Sequence, residues 1–174
     1  MHKVKVFDFN FLLPFPTKDV WDLIANDYGN VANYANGLAS SSGLGDIQNG
    51  KEGCQRICRL NETGSKYLIE KMEDVNAKSW TFTNVITEVK GLPIVPNLSK
   101  VIFALAPDAN NCKTSMEIFF RTKPAFLARF LRGSSKKQMG DLMIGIEHHL
   151  KTGEIVKANN FKPLTKRYTL TSIN

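Results

Sequence analysis

The chain has 174 residues, 43% hydrophobic and 22% charged, and a net charge of +7. That length fits one domain, and that balance fits a globular protein with a real core. No apolar run approaches the roughly 18 residues of a membrane span, and the alternating start lacks the unbroken apolar core of a secretory signal.

Lys3 to Leu12 predicts a first strand, with Val4 and Val6 on one face and Phe7, Phe9 and Phe11 on the other. Pro14 and Pro16 end it, because neither donates to a strand ladder. Thr17 is placed to cap a short helix, with Asp19 and Asp22 near its positive end and Val20, Trp21, Leu23 and Ile24 as its buried stripe. Asn30 to Asn36 predicts a second short helical turn. Strands are then expected at Ser41–Gln48, Gly53–Leu60, Lys66–Val75, Ser79–Val89, Leu98–Ala106 and Cys112–Thr122. Turn signals separate them about every ten residues, among them Asn49-Gly50 and Asn61-Glu62-Thr63-Gly64, and that rhythm is antiparallel.

From Pro124 the apolar period changes. Phe126, Leu127, Phe130 and Leu131 form one helical stripe, interrupted at Gly133-Ser134. Met139, Leu142, Met143, Ile146 and Leu150 form a second, which Gly153 can end. The fold class predicted is α+β: a curved antiparallel sheet of six to seven strands around a long C-terminal helix, with two short helices after strand 1. Residues 1–158 make the domain and 159–174 a basic, loosely ordered C-terminal tail. Such a layout leaves room for a cavity between sheet and helix.

The excess charge sits in the last third: residues 1–120 balance to −1 and residues 121–174 to +8. Between Lys123 and Lys137, aromatic and leucine residues alternate with Arg129, Arg132, Lys136 and Lys137. Three readings stand: transient contact with an anionic membrane through 123–137, a lid at the pocket mouth, or plain capping of the sheet edge. Cys54, Cys58 and Cys112 have no framework spacing and read as reduced thiols, which places the chain in the cytoplasm.

Catalytic signatures are missing. Gly43-Leu44-Gly45 precedes a strand instead of opening a helix, and neither a phosphate-cradling loop nor a nucleophile elbow occurs. His148 and His149 are adjacent, so on a helix they cannot share one metal. No metal, cofactor or nucleic-acid partner is expected.

On the strands, one parity joins Cys54, Arg56, Cys58 and Leu60 with Leu68, Glu70 and Met72, with Trp80, Phe82, Asn84 and Ile86, and with Ser115, Glu117 and Phe119. Each set mixes large apolar groups with one polar residue, as small-molecule sites do. The opposite parity turns Gln55, Ile57 and Arg59 inward with Met116, Ile118 and Phe120, and is the cleaner core for the last strand. Both stay open on pattern alone. The candidate ligand-binding set is Arg56, Cys58, Glu70, Met72, Trp80, Phe82, Asn84, Glu117 and Phe119, with Met139 and Met143 from the helix. Arg56 either pairs with Glu70 or meets a polar end of the ligand.

Gly53-Cys54-Gln55-Arg56, Glu70-Lys71-Met72-Glu73-Asp74 and Trp80-Thr81-Phe82 resemble the START-like (SRPBCC) polyketide cyclase/dehydrase and lipid-transport superfamily. Val20-Trp21-Asp22-Leu23-Ile24 and Leu150–Glu154 add to the likeness, which spans about residues 3 to 155. Plant abscisic acid receptors look like distant members, although their gate motif is replaced here by Asn61-Glu62-Thr63-Gly64. The resemblance implies a Bet v 1-like helix-grip fold with a cavity and puts Glu70 in the pocket, with Glu117 as the counterpart of a second pocket glutamate. Two functions follow from it. One is binding or carriage of a small hydrophobic lipid, polyketide or isoprenoid-like molecule. The other is a cyclase, dehydratase or hydrolase using Glu70 as general acid or base with Arg56 or Asn84 polarising a carbonyl.

Overall fold

A computed structural model describes residues 5–173. The expected strand residues 3 and 4 lie outside that range. Strand β1 spans Lys5–Leu13 and is followed by helix α1, Thr17–Trp21. The helix continues as a wider turn over Asp22–Asn26, in which the Asp27 N–H reaches back five residues to the Asp22 carbonyl. A tight turn of helix, Tyr28–Asn33, comes next. The strands β2 (Ser40–Leu44), β3 (Gln55–Arg59), β4 (Tyr67–Asn76), β5 (Thr81–Lys90), β6 (Lys100–Asp108) and β7 (Asn111–Phe120) follow. The chain closes with α2 (Leu127–Thr152), α3 (Ala158–Arg167) and the two-residue β8, Thr171–Ser172.

All strands join one antiparallel sheet in the order β2-β3-β4-β5-β6-β7-β1-β8. The meander from β2 to β7 is what regularly spaced turns dictate, and β1 closes onto β7. This is the predicted α+β helix-grip layout with one more strand. A register shift between β4 and β5 falls at Ile69/Glu70, beside the site described below.

Three details differ from the sequence expectations. Thr17 is the first helical residue, not a cap; Pro16 holds the cap position and contributes no side-chain hydrogen bond. Helix α2 runs unbroken through Gly133-Ser134. A glycine inside a helix costs only about 0.5–1 kcal/mol, which the packing on either side outweighs. The residues expected to be loosely ordered after Asn159 instead form most of α3 and β8. Phe161, Leu164 and Tyr168 bury themselves against Ile144 and Val156. His148, itself buried on α2, bonds the Tyr168 hydroxyl through Nδ1 at 2.8 Å and Glu154 through Nε2 at 3.0 Å. The apolar spacing of Phe161, Leu164 and Tyr168 is helical, but it is too short a run to stand out in a basic segment.

Gly153 ends α2 in the left-handed region at φ 72°, as its position predicts. Gly145 has another reason to be glycine. A Cβ built there falls 1.9 Å from the Tyr34 carbonyl oxygen, so α2 lies directly on the segment after the tight turn.

Apart from the cluster under α3, the core falls into two groups. On one side Trp21, Tyr28, Met72, Phe82, Phe103, Met116, Met143 and Ile146 pack together. Phe82 stacks on Phe103 at 4.8 Å and meets the edges of Trp21 and Tyr28. On the other side Phe7, Ile118, Phe120 and Ala128 gather with Leu131 and Met139. Between sheet and helix, a cavity opens next to this second group.

Candidate functional site

The register settles the parity. Arg56 pairs with Glu70, Glu70 with Ile86, Asn84 with Val101, and Val101 with Ile118. Directly paired residues share a face, so Arg56, Glu70, Asn84, Val101 and Ile118 all point toward the helix. On β7 the alternation therefore turns Met116, Ile118 and Phe120 inward, and all three are buried. Both sequence parities thus hold, each on different strands.

The cavity has a volume of about 390 Å³. Its floor is Arg56, Cys58, Leu68, Glu70, Ile86, Val101 and Ile118 from the sheet. Its roof is Leu131, Ser134, Ser135, Gln138, Met139 and Leu142, one face of the first half of α2. Val31, Ala35 and Leu38 close one side, and Leu92, Pro93 and Ile94 of the β5–β6 loop close another. That loop is tied down: the Val95 N–H donates to the Arg121 carbonyl and the Lys123 N–H to the Pro93 carbonyl. The volume lies in the range of small-molecule pockets, and the apolar wall with few polar groups fits their usual composition.

Arg56 and Glu70 supply the polar feature. The Arg56 Nε donates to Glu70 Oε2 at 2.6 Å, and Nη1 donates to the Tyr28 carbonyl at 3.0 Å. The guanidinium also lies 4.0 Å from the Tyr28 ring centroid. Burial by itself lowers the Arg56 pKa and is the largest single influence, but the Glu70 carboxylate, with smaller contributions from Tyr28, Cys58 and Tyr34, outweighs it and holds the guanidinium charged well above the ordinary range. Cys58 lies 3.6 Å from Glu70 Oε2, and its thiol is pushed up by burial and by that carboxylate. Tyr28, its phenol raised by burial, donates to Asn84 Oδ1.

Among the sequence candidates, Arg56, Cys58, Glu70, Phe119 and Met139 border the cavity. Met72, Phe82, Asn84 and Met143 face the helix but belong to the solid side: each is buried and packed around Tyr28 and Phe103. Trp80 sits in the β4–β5 turn at φ 55°, against Trp21 at 5.5 Å, away from the hollow. Glu117 is a further correction. It pairs with Asp8 and Ile102 on the face away from α2, because its neighbours Met116 and Ile118 take the inward positions. Phe119 shares that outer face and borders the cavity at its rim, beneath the Lys100 ammonium at 5.3 Å.

Sequence reasoning missed Ser134, Ser135, Gln138 and Leu142, although the last belonged to the recognised stripe. It also missed the Leu92-Pro93-Ile94 loop. Gly91, Pro93 and Pro96 mark a loop there, and nothing local shows that it folds back over the sheet. Among the described residues, no cluster of three or more His, Cys, Asp or Glu is placed to hold a metal ion.

Neither a protein-family model nor a curated protein matches the chain. Solved structures do, and they define a helix-grip fold of START/SRPBCC type, Bet v 1-like. The chain is similar to Ara h 8.0201 at 17% identity and a TM-score of 0.69, over 86% of this chain and 99% of that one. It is similar to the Zhui aromatase/cyclase from Streptomyces sp. R1128 at 10% identity and a TM-score of 0.67, over 88% and 100%. A protein from Thermobifida fusca gives 15% identity and a TM-score of 0.65, over 82% and 93%.

Proposed function

We propose that this protein binds or carries a small hydrophobic molecule in the cavity between its sheet and the first half of α2. The observation that carries this reading is the 390 Å³ hollow lined by aliphatic side chains around one buried ion pair. A lipid, polyketide or isoprenoid-like ligand suits such walls, and the likeness to an aromatase/cyclase supports the polyketide end of that range. The three buried thiols support a reducing, cytoplasmic setting. In this reading Glu70, already held by Arg56, recognises ligand rather than acting as an acid or base. Native mass spectrometry of protein purified from its own cells tests the reading. A small molecule travels with the wild-type protein and is absent from Ile86→Phe, which fills the floor. A wild-type protein that never carries a guest defeats it.

A second element of the reading concerns residues 123–137. Phe126 and Phe130 are 65% and 73% exposed and lie edge to face at 6.5 Å. Arg129, Lys136 and Lys137 stand exposed beside them, and the next turns of the same helix roof the cavity. Apolar groups ringed by cations favour an anionic bilayer, which would hand a hydrophobic ligand straight to the opening. In flotation with vesicles of phosphatidylserine and phosphatidylcholine at low salt, the protein rises with the lipid and Phe126→Ser/Phe130→Ser does not. Wild-type protein that stays at the bottom removes this element and leaves the cavity untouched.

A further inference from the structure

The charge and hydrogen-bonding state of the cavity floor narrow the ligand further, on the assumption that the cavity is the binding site. Arg56 is neutralised by Glu70, capped by the Tyr28 carbonyl and covered by the Tyr28 ring. The two charges of the pair thus match each other, and both residues border the cavity; Arg56 Nη2 donates to no described residue. Glu70 Oε2 accepts from Arg56 Nε and lies 3.6 Å from the Cys58 thiol, while Oε1 accepts no hydrogen bond from any described residue. The carboxylate borders the cavity with its side chain 13% exposed. The remaining cation at the cavity's border, Lys100, starts from the outer face, because Val101 takes the inward position, and its ammonium lies over Phe119 at the rim rather than on the floor. From the roof come only neutral groups, Ser134, Ser135 and Gln138.

The floor thus presents an ion pair of no net charge, in which Glu70 Oε1 keeps spare acceptor capacity. An anionic ligand entering here adds a net charge in a poorly solvated place, beside a carboxylate of its own sign, and the already paired Arg56 offsets that cost only in part. A hydroxyl gains a hydrogen bond to an ionised acceptor, which is stronger than one between neutral partners. We infer that the cavity selects an uncharged ligand that donates a hydrogen bond to Glu70, an alcohol or a phenol with an apolar body, and discriminates against carboxylates.

Three probes of one shape test this by titration calorimetry: 2-naphthol, 2-methoxynaphthalene and 2-naphthoate. The phenol should bind about ten- to a hundredfold tighter than the ether, the worth of one hydrogen bond to a charged group, with the carboxylate weakest. In Glu70→Gln the amide oxygen stays on Arg56 Nε and the NH2 turns to the ligand, so the preference for phenol over ether collapses or inverts. Should that variant fold poorly, the order of the three probes on the wild-type protein decides alone. Carboxylate binding as tight as phenol, or ether as tight as phenol, overturns the inference while leaving the cavity reading intact, provided Ile86→Phe abolishes that binding. If none of the probes shows binding sensitive to Ile86→Phe, the cavity reading falls and the inference with it.

Discussion

The same strands build a solid half and a hollow half within a few residues of each other. On β4, Met72 is core while Leu68 and Glu70 line the cavity; on β5, Phe82 and Asn84 are core while Ile86 lines it. On β6 the division falls between Phe103 and Val101, and on α2 between Met143 and Met139. The sheet is continuous across that line, so the difference lies in what is laid on it. Helix α1 and the tight turn after it drive Trp21 and Tyr28 between sheet and α2 and fill one half. Over the other half, α2 offers small polar groups at Ser134 and Ser135 where large side chains would be needed to close the gap. The boundary is marked by two polar pairs, Tyr28 with Asn84 and Arg56 with Glu70.

Breaking the solid half should have the largest effect. Phe82→Ala removes a ring stacked on Phe103 and should cost about 3–5 kcal/mol, measured by urea unfolding. Arg56→Met comes next. It leaves the Glu70 carboxylate unpaired, at about 3 kcal/mol, the low end for a broken buried pair because Glu70 keeps access to the cavity. Gly145→Ala should cost about 1–3 kcal/mol by pushing α2 off Tyr34, against a helix-propensity gain of about 1. Ile86→Phe adds bulk where space exists and should change stability by less than about 1.5 kcal/mol while abolishing probe binding. A Phe82→Ala effect no larger than that of Ile86→Phe would erase the distinction between the halves.

The thiols sharpen the same contrast by reactivity. Cys58 borders the hollow, yet burial and the adjacent Glu70 raise its pKa, so it stays a protonated thiol through neutral and mildly basic pH. Alkylation by iodoacetamide at pH 8 should be slow in the folded protein and become fast only on unfolding. Rapid modification of folded protein would place Cys58 in open solvent instead.

The fold was legible because antiparallel strands with regular turns leave few arrangements, and because the stripe from Met139 to Leu150 is plainly helical. The inward direction of Arg56 and Glu70 followed from alternation together with the family resemblance. Alternation fixes which way a side chain points, but not whether space remains above it. That is why Met72, Phe82 and Asn84 were expected at the cavity and are core: the groups that cover them, Trp21 and Tyr28, come from a distant segment. Glu117 was misplaced because its counterpart was drawn from resemblance, where the spacing of Met116, Ile118 and Phe120 already argued for the opposite face.

The two ends of the sheet complete the design. One is β2, Ser-Ser-Ser-Gly-Leu, and the other is β8, whose two residues pair with Phe11 and Leu12 of the phenylalanine-rich β1. Beside them, the Ile173 N–H donates to the Asn10 carbonyl. A short, hydroxyl-bearing border is a poor template for strand addition by a second molecule. The C-terminal residues thus guard an otherwise sticky flank, and proteolytic trimming there would be felt first as self-association.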